Sequence, residues 1–378
     1  MLDYLRLILF FAVAIINFIY GIFSKRSSFV LLLSLMSLSF IAGFSAISDN
    51  SDMSLYSAYY NGLLTYNPNW AFSFVLIEDL FSRIGFSFNM FRTIIYFICF
   101  LLLFFGCRHY LPNYHIIIVV YCFSLYVFLS ITFRYFIAFS IVIFAIQFLI
   151  RSKRRPLFFV LLVLLATSFH TSVIFFLLLI VLAFKNKIKN GLQKMLFILD
   201  LIGLMISVGY YFVPSLYIFA ISSFNSVSRT LFPSVSFYVD KYFMYTGNIM
   251  SPLYSISIFM FMMCFFTFVI KSKQSMDIDD KRAIDSFWLI MLICGIHFYT
   301  IAFALEMIRL FFVGLMMIFV GFSICFTNKK GRHFITGNRR FVLSLSLIIC
   351  LAFWFYSIYG RHIYGYDLFR LIGGSSIS

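Results

Sequence analysis

Between about residues 4 and 359 this chain is an almost unbroken series of apolar stretches, and the loops between them are sorted by charge. That constrains the fold more than anything else in the sequence. A helix crossing the roughly 30 Å hydrocarbon layer of a bilayer needs about 20 apolar residues. A spanning segment must satisfy its own backbone polar groups, which leaves helices or a closed barrel. A barrel needs short alternating segments, and the sequence has none. With 63% hydrophobic and 11% charged residues, no stretch is polar and long enough for a water-soluble domain. We therefore expect an all-α fold: a polytopic integral membrane helix bundle, with residues 1–378 forming a single transmembrane domain. The first span lacks a basic leader and a small-residue cleavage site, so it reads as a retained helix rather than a signal peptide.

The expected spans are about 4–23, 28–47, 90–107, 114–131, 134–150, 195–219, 252–270, 284–304, 310–326 and 341–359. Lys and Arg runs at 25–26, 151–155, 185–194, 271–282 and 329–340 fall on one side. The positive-inside rule makes that side cytoplasmic. Twenty of the 29 Lys and Arg lie there, and this bias accounts for the net charge of +16 without a nucleic-acid partner. On the opposite face stand lone arginines: Arg83, Arg92, Arg134, Arg229 and Arg309. The runs set orientation, whereas the lone arginines, on the poorly charged face, are the better functional candidates.

Two segments are ambiguous. Residues 157–184 are apolar apart from Thr167-Ser168-Phe169-His170-Thr171-Ser172. One crossing would put every later basic run outside; two short helices meeting near His170 keep them all inside. The hairpin is the preferred reading, giving ten full spans plus one broken pair. Residues 69–90 carry Glu78, Asp79 and Arg83 among apolar side chains, a pattern for an amphipathic helix at the outer interface. The outer loops then cover about 48–89 and 221–251.

Candidate chemistry lies on the outer face. The first outer loop holds Asp49, Asp52 and Tyr56 and no Lys or Arg. Carboxylates and aromatic rings suit sugar hydroxyls and ring faces; a plain solvated loop is the competing reading. Arg134 opens an apolar helix, where its planar fork suits a phosphate or pyrophosphate or simply snorkels. His170 at the hairpin apex could hydrogen-bond a phosphate, move a proton or hold a helix break. Glu306 and Arg309, three apart, share a helix face. They make either an anion-binding pair or a self-satisfied ion pair. Arg229 lies in the long loop 221–251, which has the length of a site cover. Asp200, near the inner end of its span, reads as structural. The seven cysteines fall within or at the ends of spans, and no histidine or cysteine spacing suits a metal. No metal and no cofactor are expected. Soluble-enzyme motifs such as the P-loop, GxGxxG, GxSxG and HExxH are absent.

The central segment runs Arg134-Tyr135-Phe136-Ile137-Ala138, a span, the basic turn 151–155, and then Ala166-Thr167-Ser168-Phe169-His170-Thr171-Ser172. It resembles the EpsG/Wzy-type polysaccharide polymerases, whose pattern is an R-x-x-I-A helix, a basic turn and an A-x-x-F-H-x-S segment. Asp52 and Tyr56 resemble that family's first-loop G-x-D…Y motif. Arg309-Leu310 followed by aromatics resembles its late R-L-x-x-Y/F element. The glycine of G-x-D is missing here, and Asn69-Trp70-Ala71-Phe72 stands where the family has E-P-G-F.

The resemblance implies a GT-C-like membrane glycosyltransferase that uses lipid-linked donors. Such an enzyme moves a growing glycan from polyprenyl pyrophosphate to a lipid-linked repeat unit on the outer face of a bacterial plasma membrane. The product would be O-antigen, capsule or exopolysaccharide. A flippase and a chain-length regulator are the implied partners, alongside membrane lipids. Arg134, Arg309 and Arg229 would hold the pyrophosphate, and His170 would add a contact or an acid/base role. Asp52 or Glu306 would activate the acceptor, with Asp49 and Tyr56 binding glycan. A ligase using the same donor and a lipid-linked oligosaccharide flippase are the alternatives. A flippase should show two related halves, and the sequence shows none.

Overall fold

In a computed structural model the described residues are 2–23, 26–45, 51–64, 72–108, 110, 114–150, 155–183, 186–213, 250–270, 277–295, 298 and 309–327, with a few single positions between 215 and 226. Every regular element among them is helical. In order they are α1 (Leu2–Ile22), α2 (Ser28–Gly43), α3 (Ser51–Tyr60), α4 (Phe72–Ile84), α5 (Phe88–Cys107), α6 (Tyr114–Ser124), α7 (Tyr126–Ile131), α8 (Phe133–Ile150) and α9 (Pro156–Thr167). A 3-10 helix (Thr171–Ala183) follows, then α10 (Asn186–Phe212), α11 (Met250–Cys264) with a π-helical end (Phe265–Ile270), α12 (Ile278–Gly295) and α13 (Phe311–Thr327).

Three described helices are long and apolar enough to cross a membrane: Phe88–Cys107, Phe133–Ile150 and Gly191–Gly209. Six shorter apolar helices join them: Leu5–Gly21, Ser28–Gly43, Pro156–Thr167, Thr171–Ala183, Ser255–Thr267 and Phe311–Phe322. The expected span 341–359 lies outside the described residues. Large apolar side chains such as Ile8, Phe29, Leu161, Phe175 and Met205 are exposed along these helices. Such surfaces belong against lipid, and the chain is a membrane protein.

Contacts between helices fix the direction of each. Arg6 on α1 donates to the Phe44 carbonyl after α2, whereas Asn17, further along α1, bonds Ser34 at 2.7 Å midway along α2. The pair is antiparallel. Phe91 and Gly106 on α5 approach Phe133 and Ile143 on α8, so α5 and α8 run parallel. Arg6, Arg92, Arg134 and Arg309 thereby collect at one end of the bundle. Arg26, Arg155, Lys194 and Arg282 belong to the other. Among the described residues, these two sets of basic side chains thus lie at opposite ends of the bundle, and most of the basic runs themselves lie outside the described residues.

The hairpin is present. α9 starts on Pro156, a residue suited to the first helical turn, and stops at 168–170. The amides of Ser168, Phe169 and His170 there bond back to Leu164 and Ala166. α9 and the 3-10 helix pack along one another and both lie on α8, so the chain turns back at His170. Val173, Phe176, Leu179 and Leu182 are the buried residues of the 3-10 helix. Their spacing of three forms one face only at three residues per turn. At about 2.0 Å rise, 13 such residues span roughly 26 Å, where an α-helix would span about 20 Å.

α8 is the central helix. Fifteen of its 18 residues are buried, and it packs on α5, α9, the 3-10 helix, α12 and α13. A helix apolar all round belongs inside. Buried polar side chains tie the other helices near the basic end. His115 Nε2 accepts from the Ser27 amide at 3.4 Å, so Nδ1 carries the proton and donates to Asn17 Oδ1 at 2.7 Å. This histidine is structural. Among the described cysteines, Cys99, Cys107, Cys122 and Cys294 are buried free thiols.

Candidate functional site

The site is assembled at the end of α8, where Thr132 breaks the helical run and Phe133 opens the helix. The second residue, Arg134, is half-buried. Its Nε donates to the Tyr56 hydroxyl at 2.7 Å. The guanidinium lies 5.3 Å from the Tyr56 ring centroid and 5.9 Å from that of Phe74. Cation–π contacts of this kind hold an arginine over an aromatic face. Tyr56 is 3% exposed and Phe74 is fully buried. Both sit on an aromatic stack in which Tyr60 packs on Phe91, Phe91 on Phe133, Phe133 on Phe74 and Phe74 on Tyr56. This stack seats α3 and α4 on the ends of α5 and α8.

Tyr135, the next residue, donates its hydroxyl to the Arg309 carbonyl and its ring meets that of His170 edge to face at 5.2 Å. One side chain thus positions both the start of α13 and the hairpin apex. His170 Nδ1 is engaged by the Ser172 hydroxyl at 2.7 Å. The imidazole lies in the turn, outside both helices. Burial, then the charges of Arg309 and Arg134, push it down to about 3, so it is neutral at ordinary pH. Ser168 in the same turn bonds Ser73 of α4 at 2.6 Å. Tyr56 is pushed up to about 12 by burial against the pull of Arg134, with smaller effects from Asp52 and Arg309.

Of the residues expected from sequence, Arg134, Arg309, His170 and Tyr56 come together. Asp52 sits on the first turn of α3, one turn from Tyr56, and is exposed. An acidic residue in a first turn also complements the helix dipole. Asp49, Glu306 and Arg229 lie outside the described residues. Two of the lone arginines do other work. Arg92 is fully buried and caps α2, with Nη2 on the Ala42 carbonyl and Ser45 Oγ, both at 2.6 Å, and Nη1 on the Ser45 carbonyl at 3.3 Å. Arg83 makes an exposed ion pair with Asp79 at 2.9 Å. Asp200 is not near the end of its helix. It lies midway along α10, fully buried beside Gly295, with no hydrogen-bond partner on either oxygen.

One residue escaped the sequence reading. Glu78 is 5% exposed, its Oε1 has no hydrogen-bond partner, and it lies within electrostatic reach of Arg134. The helix 72–84 is amphipathic, as expected. Its exposed apolar row is Phe72, Leu76, Leu80 and Ile84, and its inner face is Phe74 and Glu78. The spacing of four between the two inner residues was a signal, but a carboxylate on an interfacial helix reads as solvated by default.

A family model described as the EpsG family matches residues 28–369. No curated protein and no solved structure matches the chain.

Proposed function

This chain belongs to the EpsG family of Wzy-type polysaccharide polymerases, and from that premise we propose that it transfers a growing glycan from polyprenyl pyrophosphate to a lipid-linked repeat unit. The reaction takes place at the outer face of a bacterial plasma membrane. The observation that carries this reading is the meeting of Arg134, Arg309 and His170 at one end of the central helix. A pyrophosphate leaving group is a polyanion held at headgroup depth, and its charge grows as the glycosidic bond breaks. Fixed cationic donors in a poorly hydrated site stabilise such charge strongly. The arginine forks of Arg134 and Arg309 match phosphate oxygens. A neutral His170 contributes a hydrogen bond through Nε2 without adding a third positive charge. Arg229 is a further pyrophosphate ligand, and Asp49 and Asp52 meet the sugars, while Tyr56, buried beneath Arg134, holds the clamp rather than the glycan. Asp52 or Glu306 is the carboxylate read from sequence as the base.

Gene deletion with rescue tests the proposal. Surface and carrier-linked glycans are resolved by repeat number in the deletion strain, with wild type and Arg134→Ala as rescues. Collapse of the ladder to single surface repeats, restored by wild type and not by Arg134→Ala, is expected. A full ladder trapped on the lipid carrier would identify a ligase, and single repeats held on the inner face a flippase.

A further inference from the structure

A groove of about 520 Å³ opens between α3 and α4. Tyr59, Tyr60, Asn61, Glu78 and Ser82 are among the residues that line it. The walls are braced. Tyr60 donates its hydroxyl to the Phe86 carbonyl at 2.8 Å, and Ser82 donates to the Tyr60 carbonyl at 3.2 Å. Aromatic rings beside amide, hydroxyl and carboxylate groups form a surface for a sugar ring. Glu78 is 5% exposed, with Oε1 buried and unpartnered. Burying an unsatisfied carboxyl is costly, and among the described residues no helix cap uses it. Phe74, one turn earlier on the same face, carries the Arg134 guanidinium. Glu78 in turn lies within electrostatic reach of Arg134, which links the groove to the proposed pyrophosphate clamp.

Building on the polymerase reading, we infer that this groove holds the acceptor sugar of the lipid-linked repeat unit and that Glu78, rather than Asp52 or Glu306, is the general base. The acceptor hydroxyl oxygen forms the new bond to the anomeric carbon of the donor. The bond from that carbon to the pyrophosphate oxygen breaks, its electron pair leaving with the pyrophosphate. The acceptor proton passes to the Glu78 carboxylate and from there to water through the groove.

Electrostatics support the assignment. Burial pushes Glu78 up to about 8, with Arg134 pulling the other way. A base works best when its proton affinity matches the working pH. The groups facing it are Tyr59 and Tyr60 from α3 and Arg134 from α8. Arg92 of α5 is turned to the end of α2, and Asp79 pairs outward with Arg83. When donor pyrophosphate neutralises Arg134, the pull that lowers Glu78 is lost. Donor binding thus strengthens the base.

The test uses the full chain in proteoliposomes with a polyprenyl-pyrophosphate-linked repeat. Elongation by wild type should rise between pH 6 and 9 through a single ionisation above the ordinary carboxylate range. Glu78→Gln should lose roughly 10²- to 10⁴-fold in rate and lose that rising limb, with competition by polyprenyl pyrophosphate unchanged. Glu78→Asp should recover part of the rate. A flat wild-type profile, or Glu78→Gln elongating at near wild-type rate, overturns the assignment and leaves the polymerase reading standing. If wild type elongates nothing, the polymerase reading fails first and takes this inference with it.

Discussion

Tyr56→Phe is a small change with a calculable consequence. It deletes one hydroxyl, the acceptor of the 2.7 Å bond from Arg134 Nε. It keeps the ring, and so the cation–π contact at 5.3 Å and the edge contact with Phe74. A hydrogen bond to a charged donor contributes about 1.5–3 kcal/mol. Each 1.36 kcal/mol of barrier is tenfold in rate. If that bond aims the guanidinium at the leaving group, kcat should fall by about 10- to 150-fold. Thermal stability should change little, because the aromatic stack survives. The assay is elongation of lipid-linked repeats in proteoliposomes at saturating donor, with Tyr56→Leu alongside. The leucine variant loses ring and hydroxyl together and should be slower still. A Tyr56→Phe enzyme within twofold of wild type would refute the argument that Tyr56 positions Arg134.

Arg92→Met should unfold the protein at markedly lower temperature, since it strips the cap of α2 and leaves buried carbonyls unpaired at about 1–3 kcal/mol each; Arg134→Ala should leave the melting temperature near wild type and abolish activity. Gly106→Ala would place a Cβ 2.8 Å from the Ile143 carbonyl oxygen, and overpacking of this kind costs about 1–3 kcal/mol. Gly209→Ala meets nothing within 4 Å and is the matched control, so both melting curves are read together. Asp200→Asn removes a buried ionisable group that has no partner and should leave stability equal or higher. Because His170 is depressed to about 3 in the folded chain, the unfolded chain binds its proton first. The stability it contributes is intact above about pH 6.5 and is lost as pH falls toward 3. The acid limb of a stability profile should therefore be shallower in His170→Gln.

Lys and Arg sort by side whatever the packing, so charge alone favours one chain path over another. That logic separated one crossing from a hairpin at 157–184, and His170 does meet Tyr135 at the arginine end. The helix type of 171–183 was equally present in the spacing of Val173, Phe176, Leu179 and Leu182, but an all-apolar stretch hides a period of three. Arg92 and Arg134 look alike as letters, each lone near the start of an apolar helix. Only the packing shows that one faces the open carbonyls of α2 and the other an aromatic shelf. Glu78 was illegible for a related reason. The pattern places a carboxylate on a helix face, and the groove it lines exists only once α3 folds back on α4, which spacing within α4 alone does not show.

The most direct measurement is made on purified protein in proteoliposomes containing one synthetic polyprenyl-pyrophosphate-linked repeat. Chain length and released polyprenyl pyrophosphate are followed together. The account predicts a ladder with one carrier pyrophosphate released per added repeat in wild type, and neither product with Arg134→Ala or Arg309→Ala. A ladder of undiminished length from both arginine variants, or no release by wild type, would contradict it.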